Sequence, residues 1–115
     1  MGVDWIRRFC ATMPHTTEHV QWGDHLVFKV AGKLYAITSL EPSAVWLTIK
    51  VPPEEFAELT EREGITQAPY MAKGQWVALA NEDVLSVAEL KRLVRQSYEL
   101  VVAKLPKKAR AALSN

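Results

Sequence analysis

One cysteine in 115 residues is the first scarcity of this chain. Cys10 has no partner for an intramolecular disulfide and no second thiolate with which to hold a metal. It falls on the apolar side of an expected helix, which suits a buried and inert thiol. A nucleophilic role would need a base held beside it, and the local sequence fixes neither His15 nor His19 there. No apolar run reaches the ~20 residues that span a bilayer. The start also lacks the charged-then-apolar pattern of a secretory signal, so a cytoplasmic protein with no membrane partner is expected. No serine-histidine-acid order, phosphate-cradling glycine loop or zinc motif is present. The chain is therefore expected not to be an enzyme, with no catalytic residue, no cofactor and no metal. His15 and His19 are four apart, with Asp24 and His25 following. Pro14 and two threonines argue for a loop there, where that spacing does not bring ligands together. A large excess of one charge is missing too, since 14 basic and 13 acidic residues leave a net charge of +1. Nonspecific nucleic-acid binders are often far more basic than this.

What is present is a supply of apolar surface. With 49% hydrophobic and 23% charged residues, the chain has the composition of a soluble globular protein, and its length suits one domain over residues 1–115. The charges are unevenly placed. Residues 91–110 hold Lys91, Arg92, Arg95, Lys104, Lys107, Lys108 and Arg110 against Glu99, whereas residues 54–63 hold Glu54, Glu55, Glu58, Glu61 and Glu63 against Arg62.

The apolar periods give the elements. Trp5, Ile6, Phe9, Cys10 and Met13 form one helical stripe that Pro14 ends. Residues 15–24 show no period and read as a loop. Leu26, Phe28 and Val30, then a two-residue turn at Ala31-Gly32, then Lys33 to Thr38 predict a β-hairpin. A third strand is expected from Val45 to Val51, with Leu47, Ile49 and Val51 on one face and Trp46, Thr48 and Lys50 on the other. Pro53 at a first helical position and Gly64 as a left-handed stop bracket a second helix over 53–63. Residues 65–75 are turn-rich, and Trp76 to Ala80 is a short strand. Ser86 and Glu89 have capping-box spacing, flanked by Leu85 and Leu90 as a hydrophobic staple. The helix they start buries Leu90, Leu93, Val94, Ser97, Val101 and Leu105 and stops at Pro106. Residues 107–113 could add a further helical turn. The order α-β-β-β-α-β-α predicts a single small α+β domain, an antiparallel sheet with helices packed on one face.

Several local patterns also carry a resemblance. Cys10 and Pro14, Trp22-Gly23-Asp24, Phe28-Lys29-Val30 with Gly32-Lys33, and Leu47 to Lys50 occur in this order. Tyr70-Met71-Ala72-Lys73 with Trp76, then Ser97-Tyr98 with Leu100, Val101 and Lys104, complete the set. Together they resemble the MmcQ/YjbR family of small bacterial proteins. The resemblance implies a CyaY-like, that is frataxin-like, fold, and a proposed DNA-binding role through paired wing-like strands. Two departures stand out. The segment after the first helix lacks a Pro-Gly pair, and Gly74-Gln75 stands where relatives often carry basic residues or histidine.

The candidate nucleic-acid contacts follow from residue chemistry. Tyr70, Lys73 and Trp76 place two rings and a cation at three-residue spacing, so that a ring can stack on a base while the lysine meets a phosphate. The competing reading makes Trp76 a core residue and Tyr70 a plug of its loop. Lys29, Lys33 and Lys50 lie on predicted strands and make a basic sheet face with Trp46 if neighbouring strands bring them together, the competing reading being a solvated face. Arg92 and Arg95 belong to the basic helix that could attract a phosphate backbone. The leading expectation is a monomeric, non-enzymatic, DNA-binding domain. The alternative is a protein-interaction or small-ligand module of the same fold, with Trp76, Tyr70 and Trp46 lining an apolar patch or pocket.

Overall fold

The turn at Ala31-Gly32 shows how closely local sequence sets this structure, a computed structural model that describes residues 2–113. Ala31 and Gly32 both take left-handed backbone, with φ of 51° and 78°. That is the geometry of the two-residue hairpin turn whose twist matches its flanking strands. It joins β2 (His25–Val30) to β3 (Lys33–Ser39), with Val30 opposite Lys33. Four more strands complete one antiparallel sheet: β1 (Thr16–Gln21), β4 (Leu47–Lys50), β5 (Ile65–Gln67) and β6 (Trp76–Leu79). The strand order is β1-β2-β3-β4-β6-β5. The helices are α1 (Val3–Ala11), α2 (Pro53–Thr60), α3 (Val87–Ala103) and α4 (Lys107–Leu113).

The protein is thus an α+β domain with the predicted order of elements, to which the structure adds two strands and a short last helix. The segment read as a loop after Pro14 contains β1. Its residues Thr17, Glu18, His19 and Val20 are all exposed, because this edge strand meets α1 through the polar pair Arg7–Glu18 and has no buried apolar face to impose an alternation. Strand β5 is only three residues long and pairs with β6 alone, which a turn-rich sequence conceals.

One face of the sheet carries the main core. Leu26, Phe28, Ala36, Leu47, Ile49, Val77, Leu79 and Ile65 come from five strands and are buried with Ile6, Phe9 and Cys10 of α1 and with Leu90, Leu93, Val94 and Val101 of α3. All six positions predicted for the inward stripe of the long helix are buried. The capping box forms as well: the Glu89 amide donates to Ser86 Oγ at 3.1 Å, and the serine hydroxyl lies 3.4 Å from Glu89 Oε1.

A β-bulge then shapes the centre of the sheet. Phe28 pairs with Ala36 while Lys29 pairs with Leu34, so Tyr35 is an extra residue on β3. The bulge lets Tyr35 and Ala36, consecutive in the chain, both be fully buried. Tyr35 stacks edge-on against Tyr98, with ring centroids 5.4 Å apart, and its hydroxyl lies 2.8 Å from Thr16 Oγ1. Ser97 of α3 reaches the same place. Its hydroxyl donates to the Tyr35 carbonyl at 2.6 Å and accepts from the Lys50 amide at 2.9 Å. A helix side chain therefore bridges β3 and β4 beyond their last ladder pair, Ala36 with Ile49. This contact also fixes the backbone that presents Lys50.

Candidate functional site

The helices leave the other face of the sheet uncovered. Residues opposite one another in an antiparallel ladder share a face, so the register places Thr17, His19, Gln21, His25, Val27, Lys29, Leu34, Ile37, Ser39, Thr48, Lys50, Thr66, Trp76 and Ala78 on the open side. No carboxylate is among them. The acids of α1 and α2 and Glu18 of β1 lie on the helical side, where Glu18 accepts from Arg7 at 2.7 Å. That pair raises the arginine pKa and holds the glutamate carboxyl below its usual range. The strands of the open face thus carry Lys29 and Lys50 and no acid, a distribution that the net charge of +1 conceals.

The segment between β5 and β6 folds back over part of this face. Gln67 organises it: its amide donates to the Ala68 carbonyl at 2.8 Å, and its side-chain oxygen accepts from the Gly74 amide at 3.0 Å. Ala68 and Met71 pack beside Trp76, Ala78, Leu34 and Val45 in a second, smaller apolar cluster. Trp76 is 8% exposed. It is a core residue, as the competing sequence reading has it, but of this smaller cluster on the open side. Tyr70 is fully exposed, with φ of 65°.

Between sheet and segment lies a cavity of about 540 Å³, lined by Trp22, His25, Ile37, Thr48, Tyr70 and Met71, with Ser39, Ser43, Val45, Trp46 and Pro69 around them. This volume is within the range of small-ligand sites. Trp22 and Tyr70, both exposed and both lining the cavity, hold left-handed backbone, Trp22 at φ of 56°. Such backbone is strained for a bulky residue and concentrates at binding sites. Trp22 meets the His25 ring edge-on at 5.8 Å, and His25 Nδ1 lies 2.6 Å from Asp24 Oδ1, which orients the imidazole.

A smaller depression of about 200 Å³ opens at the strand ends, lined by Lys33, Leu34, Lys50, Trp76, Val101, Lys104 and Leu105. The Lys50 ammonium sits 6.0 Å from the centroid of the Trp76 ring. Burial lowers the Lys50 pKa, and the positive charge of Lys104 lowers it further. Thr48 of the large cavity and Lys50 of the small one are two residues apart on β4, so their Cα atoms are roughly 7 Å apart. An aromatic-lined cavity on the open face therefore adjoins a basic pocket at the strand ends, which Lys33 and the last turn of α3 enter from the helical side.

The candidates proposed from sequence divide between two sides of the molecule. Lys29, Lys50, Tyr70 and Trp76 are on the open side, and Lys73 is exposed on the covering segment. Arg92 and Arg95 are not part of this face. Arg92 donates to Glu55 of α2 at 3.1 Å, and the Arg95 guanidinium lies over the Phe9 ring of α1 at 5.5 Å. The amphipathic period of α3 turns both toward the other helices. From sequence, His25 is weighed only as a metal ligand with His15, His19 and Asp24, and Trp22 is not a candidate contact, although a tryptophan beside glycine in a hairpin loop is a signal for an exposed ring. His15 and His19 do not converge: His15 Nε2 lies 3.0 Å from the Leu113 carbonyl oxygen, and His19 Nε2 lies 3.0 Å from Thr17 Oγ1. No helix among the described residues is long and apolar enough to cross a membrane.

Fold and face together define a small antiparallel α+β domain with one helix-covered side and one open side bearing rings and lysines. The YjbR family model matches residues 11–100, and the chain belongs to that family. It is similar to protein DR2400 of Deinococcus radiodurans, whose crystal structure is described as a DUF419 domain. The two share 31% identity with a TM-score of 0.89, over 98% of this chain and 88% of that one. A Pseudomonas syringae protein of known crystal structure has the same fold, at 23% identity and a TM-score of 0.74, over 87% of this chain and 98% of that one. No curated protein matches the chain.

Proposed function

We propose that this protein is a non-enzymatic, cytoplasmic, monomeric domain of frataxin-like type that binds nucleic acid, DNA foremost, along the open face of its sheet. The observation that carries this reading is the adjacency on β4: Thr48 lines a cavity flanked by the exposed rings of Trp22 and Tyr70, and Lys50 lines a pocket with two further lysines. Rings accept unstacked bases through their faces, and lysines take the phosphates. The strands place no carboxylate on that face to repel a polyanion, and Asp24 at its rim is hydrogen-bonded to His25.

Such a site favours single strands over duplex, because stacking on Trp22 and Tyr70 needs bases that are free of their partners. About three lysine-phosphate contacts would give a slope near −2 for the logarithm of affinity against the logarithm of salt. Anisotropy titrations of a labelled single-stranded oligonucleotide between 50 and 200 mM salt should thus show a roughly 15-fold fall in affinity. Failure to bind at the lowest salt would remove this function. The cavity volume favours one alternative, a small planar ligand held without nucleic acid. Stabilisation by nucleosides in a thermal-shift assay, with no oligonucleotide binding, would identify it.

A further inference from the structure

The basic pocket at the strand ends differs in kind from a row of surface lysines. Lys33 begins β3, Lys50 ends β4, Trp76 begins β6, and Lys104 caps the C-terminal end of α3, so four elements bring their ends to one depression. The last turn of α3, with Val101 and Leu105, walls one side. None of the three lysines forms an ion pair with a described carboxylate. Lys50 is half-buried over the Trp76 ring, and its ammonium is pushed toward deprotonation first by burial and then by Lys104. Like charges held together without a counter-ion destabilise the free protein, and an anion placed among them removes that repulsion.

The charge count selects the anion. A phosphodiester in the middle of a strand carries one negative charge, whereas a phosphomonoester carries between ~1.5 and 2 at neutral pH. Three cations around about 200 Å³ suit the more highly charged group. We infer that the Lys33–Lys50–Lys104 pocket is a site for a phosphomonoester, the terminal phosphate of a nucleic-acid strand whose adjoining base lies in the aromatic cavity. The strand source rests on the nucleic-acid function proposed above. The phosphate chemistry rests on the pocket alone.

The test compares one single-stranded oligonucleotide in three forms: 5′-phosphorylated, 3′-phosphorylated and hydroxyl at both ends. Inorganic pyrophosphate is titrated separately, with tryptophan fluorescence as readout. One phosphorylated form should bind at least about tenfold tighter than the hydroxyl form, since its terminal phosphate adds charge-assisted hydrogen bonds. Lys104→Ala, at an exposed position, should erase that difference, and Lys91→Ala, elsewhere on α3, should leave it. Equal affinity for all three forms overturns the terminal-phosphate site and leaves nucleic-acid binding standing. Pyrophosphate binding that Lys104→Ala abolishes, with no oligonucleotide bound, upholds the phosphate pocket with a free phosphate as its source and removes the nucleic-acid function. Binding of neither overturns both.

Discussion

Replacing Ser97 by alanine tests how α3 holds the sheet. The side chain is fully buried, and its hydroxyl serves the Tyr35 carbonyl at 2.6 Å and the Lys50 amide at 2.9 Å. Alanine removes one oxygen and opens little space, so the effect is almost wholly one of hydrogen bonding. Each bond contributes about 1 kcal/mol net, and each buried group left unpaired costs about 1–3 kcal/mol. Backbone relaxation will recover part of this, and the net loss expected is about 2–4 kcal/mol. That is a large share of the roughly 5–15 kcal/mol by which a domain of this size is stable, yet the variant should still fold. Urea unfolding at 25 °C should show the midpoint falling by about 2 M for a slope near 1.5 kcal/mol per molar, the slope unchanged. Ser86→Ala is the comparison. It removes an exposed helix cap and should cost about 1 kcal/mol. If Ser97→Ala loses no more than Ser86→Ala, the serine does not close the ladder between β3 and β4, and this account of how Lys50 is placed fails.

Three further outcomes follow from the backbone and the core. Gly64 sits at φ of 88° with space for a Cβ only 2.7 Å from Val84 Cγ2, whereas Gly74, at φ of 74°, has nothing within 4 Å. In thermal melts Gly64→Ala should therefore lose about 1–2 kcal/mol more than Gly74→Ala, because overpacking is added to the backbone strain that both share. Ala31→Asn should raise stability by about 0.5–1 kcal/mol in the same assay, since asparagine tolerates the left-handed position that alanine occupies at a cost. Burial pushes the Cys10 thiol from about 9 up to about 12. The unfolded chain releases that proton first, so stability present below pH 9 should be lost as pH rises through this window. The slope is about 1.4 kcal/mol per pH unit for Cys10. Tyr35, raised mainly by burial, should add to it at higher pH. Urea midpoints measured at pH 8, 9.5 and 10.5 should fall steadily, and more gently for Cys10→Ala.

Much of the fold was legible because its signals are local or periodic. The stripe of α3, the Ser86–Glu89 box, the turn at Ala31-Gly32 and the alternation of Leu47 to Lys50 each depend on residues close in sequence. Strand β1 was hidden because an edge strand buries neither face, and its pairing with β2 depends on a neighbour rather than on its own composition. The bulge at Tyr35 was hidden for a related reason, since it is defined by two strands together. The site was half legible. Lys29, Lys50, Tyr70 and Trp76 share the open side, but Arg92 and Arg95 turn to Glu55 and Phe9. Helical charge alone does not say which side of a molecule it serves. Trp22 joins the site from the β1–β2 turn beside His25 and Lys104 from the end of α3 beside Lys50, and the cavity between Trp22 and Tyr70 exists only once the segment after β5 folds back.

The most direct measurement is a fluorescence-anisotropy titration of one single-stranded oligonucleotide at low salt against the wild-type protein and the variants Tyr70→Ala, Lys50→Ala and Arg92→Ala. Binding by the open sheet face predicts that Tyr70→Ala weakens affinity by about 1–3 kcal/mol, the contribution of one stacked base. Lys50→Ala should weaken it too and flatten the salt dependence, while Arg92→Ala, on the far side of the molecule, should leave affinity unchanged. No binding by the wild-type protein, or a loss with Arg92→Ala as large as that with Tyr70→Ala, would contradict the assignment of the open face as the nucleic-acid interface.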